Sequence, residues 1–209
     1  MDDNNHEFEN IQDISKIENE KEKLRQKLRD IRMQISPDDH AEWSRRACIH
    51  LDAYISGWLS NSDAGVLVYC PKSSELNTNQ LIESLLAKQI STIVPIIQQE
   101  LVSLRFSYIT STSSLVSSTF QVPEPIGSEI PAQPENISIC IVPILGFGEN
   151  GSRIGYGKGY YDRLFQKHPQ IFKIGTAFSC QMCEDIPMTD TDIMMDLIIT
   201  ENGIVYEHS

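Results

Sequence analysis

A glycine-rich stretch with interleaved charges, Val142 to Asp162, carries the residue types of a phosphate-binding site. Gly155, Gly157 and Gly159 stand at alternate positions and remove every second Cβ, which lets backbone N–H groups approach a polyanion closely. An apolar, strand-like run precedes the stretch. The residues from Tyr160 onward are typical of a first helical turn, whose free N–H groups and positive dipole end attract anions. The stretch therefore predicts a phosphate site between a strand and a helix.

Two basic side chains and an acid in this stretch extend the prediction to a nucleotide. Arg153 and Lys158 supply positive charge, and Asp162 could hold a divalent cation against phosphate oxygens. Two common fingerprints are absent. Gly159 follows Lys158 where a P-loop has Ser or Thr, and the glycine spacing is not that of dinucleotide binders. A flexible surface loop is the alternative, and the interleaved charges, the following aromatic pair and the preceding strand count against it.

The string from Pro143 to Asp162 resembles the signature of the 5-formyltetrahydrofolate cyclo-ligase (5,10-methenyltetrahydrofolate synthetase) family. That signature reads roughly Pro-Gly-x-Ala/Gly-Phe-Asp-x-x-Gly-x-Arg-Leu-Gly-x-Gly-x-Gly-Tyr-Tyr-Asp. This chain departs from the family pattern at Gly148, where the family usually has Asp, and at Thr191, where it has His or Asn. Further residue groups that match the family in its order are Lys21 with Arg25, Glu75 with Thr78, and Asp192 with Asp196.

Lys21 and Arg25 lie four residues apart and therefore on one face of a predicted helix. From the residues alone, a solvated helix surface with acidic neighbours is the favoured interpretation. The resemblance reverses this preference, because it implies that the two side chains contact ATP phosphates. Asp192 has a similar pair of interpretations. It is a loop cap from the residues alone and a Mg²⁺ ligand, together with Asp162, from the resemblance.

Glu75 follows a predicted strand and so lies at the carboxyl end of a sheet, where α/β proteins bind ligands. A carboxylate there could accept hydrogen bonds from a ring amide and amino group. Capping of the following helix by Glu75 and Asn77 is the alternative from the residues alone. The resemblance implies that Glu75 binds the pterin ring of folate and that Cys70, Tyr156 and Tyr160 also line the substrate site.

The resemblance implies an ATP- and Mg²⁺-dependent cyclisation of 5-formyltetrahydrofolate, with or without a polyglutamate tail, to 5,10-methenyltetrahydrofolate. Arg153 and Lys158 would be the catalytic cations that neutralise the transferred phosphoryl group. The implied ATP site comprises Lys21, Arg25, Arg153, Ile154, Gly155, Tyr156, Gly157, Lys158, Gly159, Tyr160 and Tyr161. Two rival functions are a non-catalytic relative that binds nucleotide or folate as a regulatory module, and an ATP-dependent kinase or ligase for another small anion.

Composition limits the class of partner. The net charge of −12 over 209 residues argues against general nucleic-acid binding, which needs a basic surface. No apolar run is long enough to span a bilayer, and no targeting segment is recognisable, so a cytoplasmic protein without membrane contact is predicted. A monomer is expected. Five cysteines predict free thiols, including the Cys180-x-x-Cys183 pair, for which a structural role is favoured over metal binding.

The pattern of helices and strands predicts a single α/β domain over residues 15–209, with a mostly parallel sheet, helices on both faces and a C-terminal hairpin at Asn202-Gly203. Residues 1–14 are polar and acidic and are predicted to be a disordered tail. A helix from Ser15 to about Ile35 is expected. Pro95 predicts that its strand is short or lies at an edge, and residues 111–134 read as a long irregular connection.

Overall fold

The computed structural model describes residues 3–59, 65–72 and 74–208, and the side chains from residue 15 onward within them. The first helix begins earlier than the predicted Ser15. The expected disordered tail, residues 1–14, lies outside the described side chains and stays a prediction, as does the domain boundary after it. The α-helices in the described ranges are α1 (Asp3–Met33), α2 (Pro37–Trp58), α3 (Asn79–Ala87) and α4 (Tyr160–Lys167).

The centre of the protein is an eight-stranded sheet with the order β12-β11-β10-β7-β1-β2-β3-β6. The neighbours from β11 to β2 pair in parallel, and β12, β3 and β6 pair antiparallel at the two ends. The predicted mostly parallel sheet is therefore confirmed. The strands are β1 (Gly65–Val68), β2 (Thr92–Gln98), β3 (Ser103–Tyr108), β4 (Val116–Ser117), β5 (Pro123–Glu124), β6 (Ile130–Ala132), β7 (Ile137–Pro143), β8 (Gly146–Phe147), β9 (Arg153–Ile154), β10 (Phe172–Thr176), β11 (Leu197–Thr200) and β12 (Gly203–Glu207).

Helices cover both faces of this sheet, as predicted. Successive residues of β1 point to opposite faces, and they belong to different apolar clusters. Val66 and Val68 pack with buried residues of α2 and α3, whereas Leu67 packs with Leu164 and Phe165 of α4. Each face of the sheet therefore has its own apolar core, and the strands that carry the loops are packed on both faces.

Two expectations about strands are wrong. Pro95 lies in β2, which is an interior strand between β1 and β3. The ladder from β1 reaches only Thr92 and Ile93, so the proline, which has no N–H group, lies beyond it and pairs only toward β3. The connection 111–134 is also less irregular than expected, because Ile130–Ala132 forms the edge strand β6. The C-terminal hairpin is confirmed, with Glu201 and Asn202 in its turn.

The glycine-rich stretch runs from β7 to α4, the strand and helix that were predicted to flank it. A small antiparallel hairpin of β8 and β9, which the sequence did not predict, interrupts the connection. Gly157 and Gly159 adopt positive φ angles of 86° and 64°, the left-handed region that favours glycine. A Cβ atom at Gly157 would lie 3.0 Å from the guanidinium carbon of Arg25, so this position also needs glycine for close approach.

Candidate functional site

Two adjoining cavities open where β1, β2 and β7 end, the edge at which open α/β sheets bind ligands. The larger has a volume of about 370 Å³ and the smaller a volume of about 210 Å³. The two cavities share one wall, so a ligand in the larger cavity and a ligand in the smaller one can contact each other there. The shared wall consists of Pro143, Tyr156, Lys158, Tyr160 and Tyr161.

The structure brings together all of the site residues that the sequence singled out. The implied ATP and metal residues line the larger cavity, together with Glu18, Val142, Pro143, Arg163, Gln166 and Thr191. Cys70, Glu75, Tyr156 and Tyr160, the implied substrate residues, line the smaller cavity with Tyr69, Lys72, Pro95, Ile97, Phe120 and Val122.

Lys21 and Arg25 of α1 face the larger cavity rather than solvent. Lys21 is 3% exposed and Arg25 is 7% exposed, so a solvated helix surface is wrong for both. Arg25 Nε donates to the Gly155 carbonyl at 3.1 Å and so ties the helix to the loop. Lys21 Nζ lies 2.6 Å from Asp192 Oδ2 and 3.1 Å from Glu18 Oε1.

Asp192 also accepts hydrogen bonds from the backbone N–H and hydroxyl of Thr189, so it does cap its loop. Burial would raise the pKa of Asp192, but the hydrogen bond from Lys21 and those from Thr189 outweigh it and lower the pKa. The group is therefore an ionised carboxylate at neutral pH, which is the form that binds a cation. Capping and ligand binding are compatible, because these bonds all go to Oδ2.

A second buried cation of the larger cavity is also paired with an acid. Arg153, on β9, is 8% exposed and its Nη2 lies 2.6 Å from Asp162 Oδ1. Arg153 also donates to the Ile193 carbonyl, and the Ile193 N–H donates to Asp162. The residue after Asp192 is thus bonded to Asp162 of α4 and to Arg153, and both acids line the same cavity.

Lys158 and Arg163 differ in what they do at the glycine loop. Arg163 Nε donates to the Val102 carbonyl at 2.9 Å, its Nη2 donates to the Lys158 carbonyl, and its guanidinium lies 5.9 Å from the Tyr160 ring centroid. Arg163 therefore braces the loop, a role that the sequence analysis missed. Among the residues with described side chains, no acid pairs with the Lys158 ammonium, which leaves it available to an anion in either cavity.

Glu75 faces the smaller cavity and is 5% exposed. Its Oε2 accepts from the Lys72 N–H at 3.0 Å, and its carbonyl lies 2.8 Å from His40 Nε2. Asn77, not Glu75, accepts from the N–H of Asn79 at the start of α3, so the capping interpretation is wrong for Glu75. A buried carboxylate in a mostly apolar cavity can recognise a flat ring that presents N–H donors.

Three side chains around this cavity were not found from the sequence. Phe120 and Lys72 line it, and the Lys72 ammonium lies 5.9 Å from the Phe120 ring centroid and 5.1 Å from that of Tyr156. Arg32 donates to the Tyr156 hydroxyl at 2.9 Å. Arg32 had a usable signal, because it lies seven residues after Arg25 and hence on the same helix face. Phe120 and Lys72 lie in loops, where no periodicity reveals which way a side chain points.

The two departures from the family pattern lie in different places. Gly148 is in the turn between β8 and β9, and a Cβ there would meet Ser152 Oγ at 2.5 Å and Asn150 Oδ1 at 2.9 Å. Gly148 lines neither cavity, and a side chain there would start toward its own turn. Thr191 does line the larger cavity, and its carbonyl accepts from Gln166 Nε2 at 3.2 Å.

The two acids of the larger cavity suit a magnesium ion that is bound together with a nucleotide. Within the part of the chain that the structure describes, no cluster of three or more His, Cys, Asp or Glu could enclose a metal. Mg²⁺ typically uses one or two carboxylates and completes its shell with phosphate oxygens and water. Asp162 and Asp192 therefore fit MgATP rather than a metal held by protein alone.

The cysteines supply no nucleophile to either cavity. Cys70 lines the smaller cavity, but burial, followed by the charge of Glu124, raises its pKa to about 12, so the thiol is neutral. Cys180 is exposed and Cys183 is buried, and both are free thiols. The expected free thiols are confirmed for all five positions.

The sequence pattern of the 5-formyltetrahydrofolate cyclo-ligase family matches residues 17–201. The chain belongs to this family. Among curated members, 5-formyltetrahydrofolate cyclo-ligase of Escherichia coli K12 is 26% identical over 183 residues, which cover 85% of this chain and 98% of that protein. The probable 5-formyltetrahydrofolate cyclo-ligase of Caenorhabditis elegans is 27% identical over 205 residues, covering 92% and 98%. The resemblance read from the signature, and the assignment to the ligases, are confirmed.

Solved structures of cyclo-ligase relatives share the fold. The 5,10-methenyltetrahydrofolate synthetase of Aquifex aeolicus superposes with a TM-score of 0.71 at 29% identity, covering 88% of this chain and 91% of that one. The synthetase of Mycoplasma pneumoniae gives a TM-score of 0.67 at 23% identity, covering 87% and 98%, and at that identity it supports the fold alone. None of the described helices of this cyclo-ligase family member is both long and apolar enough to cross a membrane.

Proposed function

We propose that this protein catalyses the ATP- and Mg²⁺-dependent cyclisation of 5-formyltetrahydrofolate to 5,10-methenyltetrahydrofolate, with release of ADP and phosphate. The observation that supports it most is the wall shared by the two cavities. One cavity is lined with cations and glycine-loop backbone, and the other is mostly apolar with a buried acid. Transfer of a phosphoryl group from ATP to a folate requires such an arrangement, because donor and acceptor must meet.

In the proposed reaction, the formyl oxygen attacks the γ-phosphorus of ATP and ADP leaves. N10 of the folate then attacks the activated formyl carbon, and the phosphate leaves with the former formyl oxygen while N10 loses its proton. Substrate atoms supply both nucleophiles, so no side-chain nucleophile is needed. This is consistent with the neutral Cys70 thiol at the site.

This chain's residues would act by binding and charge neutralisation. Lys21 and Arg25 would bind phosphate oxygens from α1, and Arg153 with the loop amides would bind them from the glycine-rich stretch. Lys158, which lines both cavities, would neutralise negative charge on the phosphoryl group during its transfer from the nucleotide to the formyl oxygen. Held by Asp162 and Asp192, Mg²⁺ would neutralise further phosphate charge.

The direct test is to mix the purified protein with MgATP and 5-formyltetrahydrofolate and to follow methenyl-folate absorbance together with ADP release. Equal amounts of both products support the proposal. ADP release that requires a different anion would identify a kinase or ligase of another substrate. Binding of both ligands without turnover would identify the regulatory alternative, which Gly148 does not favour because it lies outside both cavities.

Asparagine at Asp192 is expected to raise the Mg²⁺ concentration needed for half-maximal activity by about tenfold or more. The change removes one negative charge beside the ion at nearly constant volume. It also leaves Lys21 without the carboxylate that lies 2.6 Å away. The Mg²⁺ dependence of initial rates at saturating ATP is the measurement, and Asp162→Asn is expected to behave alike.

The matched control for this prediction is Asp190→Asn, which removes an exposed acid two residues away that lines neither cavity. Its Mg²⁺ dependence should equal that of the unmodified protein. An Asp162 or Asp192 variant that shows the same unchanged dependence would remove that residue from the set of metal ligands.

A further inference from the structure

Arg32 is a buried cation that the proposed reaction does not use. It lies in the last turn of α1 and is 6% exposed. Among the residues with described side chains, no carboxylate forms an ion pair with it. Burial of a charge without a counter-charge is costly, so the hydrogen bonds of Arg32 must offset that cost.

The hydrogen bonds of Arg32 lead to the smaller cavity. Its Nε donates to Ser74 Oγ at 3.0 Å, and its Nη1 donates to the Tyr156 hydroxyl at 2.9 Å. The guanidinium carbon also lies 5.6 Å from the Tyr156 ring centroid. Tyr156 lines the cavity, whereas Arg32 does not. Arg32 therefore contacts the site from behind Tyr156.

The chemistry of these groups determines the direction of the hydrogen bonds. A guanidinium can only donate, so the Tyr156 oxygen must accept from Arg32 and its own proton points elsewhere. Burial raises the pKa of the Tyr156 hydroxyl, and the charge of Glu75 raises it further. The phenol thus stays protonated, and its proton can be donated within the smaller cavity, which Tyr156 and Glu75 both line.

Glu75 and Tyr156 reach the smaller cavity from different parts of the chain. The Lys72 N–H donates to Glu75 Oε2 at 3.0 Å. The Lys72 ammonium, 5.1 Å from the Tyr156 ring centroid, adds a second cation against that ring. The placement of the Tyr156 ring and hydroxyl beside Glu75 therefore depends on Arg32, which donates to that hydroxyl.

We propose that Arg32 is a positioning residue for ring recognition in the smaller cavity, acting through the ring and hydroxyl of Tyr156. The ligand class is a flat heterocycle with adjacent N–H donors, which the Glu75 carboxylate can bind while Tyr156 contacts the same ring. This inference rests on the proposed function, since it concerns the same folate site.

The test is a double-mutant cycle of Arg32→Met and Tyr156→Phe, with affinity for 5-formyltetrahydrofolate measured by isothermal titration. Each single change is expected to weaken binding by about tenfold or more, because each removes the charge-assisted hydrogen bond that holds Tyr156 at the cavity. The double variant should bind about as weakly as the weaker single one, because both changes remove the same hydrogen bond. If Arg32 had a purely structural role, the losses of folate-binding free energy in the two single variants would instead add in the double variant.

Arg45→Met is the matched control, since Arg45 is an exposed arginine of α2 paired with Glu42 at 2.8 Å. It should bind the folate as the unmodified protein does. ATP affinity of Arg32→Met should change less than twofold.

If the double variant loses folate affinity by the product of the two single losses, the inference is overturned. Tyr156→Phe keeps the ring and the packing, so folate affinity within twofold of wild type in this variant overturns it even if Arg32→Met does not fold. Wild-type protein without folate affinity would instead overturn the proposed function, and this inference with it.

Discussion

Glutamine in place of Glu75 is expected to weaken binding of 5-formyltetrahydrofolate by at least about tenfold while ATP affinity changes little. The side chain is 5% exposed and one of its oxygens already accepts from the Lys72 N–H. A hydrogen bond to a charged group contributes about 1.5–3 kcal/mol. In glutamine one oxygen becomes an amino group, so a donor would face the donors of the ring, and the variant should lose more than one such bond.

Isothermal titration with each ligand separately measures this effect, and initial rates should show it as a raised folate KM. Glu83→Gln is the control, because Glu83 is an exposed acid on the neighbouring helix α3 and lines neither cavity. If the Glu75 variant binds folate within about twofold of wild type, Glu75 only supports its loop. The assignment of folate as the substrate would then lose the residue that supports it most.

Alanine in place of Arg153 should weaken ATP binding by roughly tenfold to a hundredfold, and more than it weakens folate binding. Arg153 is 8% exposed and lies on the larger cavity alone. Its loss removes a charge-assisted contact to phosphate, worth about 1.5–3 kcal/mol. It also leaves Asp162 without the guanidinium that lies 2.6 Å away, which adds repulsion between that carboxylate and the nucleotide.

Arg105→Ala serves as the control for this second change, since Arg105 is half-exposed on β3 and pairs with Glu129 at 3.5 Å, away from both cavities. Lysine at position 153 should recover part of the ATP affinity, because it keeps the positive charge. It should not recover all of it, because it lacks the planar N–H donors of the guanidinium group. Equal ATP affinity in wild type and Arg153→Ala would contradict the assignment of this cation to the nucleotide.

The sequence by itself determined the family and the composition of the candidate site. The string from Pro143 to Asp162 was long enough to be specific, and the family match over residues 17–201 bears it out. Helical spacing placed Lys21 and Arg25 on one face, and position after a strand placed Glu75 at the ligand-binding edge of the sheet. These inferences succeed because they depend on local chemistry and on periodicity, which the order of residues contains directly.

The tertiary structure decided which of these residues meet and what each one contacts. Arg25 and the Gly155 carbonyl are 130 residues apart in sequence and 3.1 Å apart in space. Pro95 is tolerated in an interior strand only because the ladder from β1 ends before it. Phe120 and Lys72 reach the smaller cavity from loops with no periodic pattern. The hydrogen-bond partner of Arg32 depends on how α1 packs against the glycine loop. Contacts of this kind arise from packing between distant segments, so no single stretch of sequence specifies them.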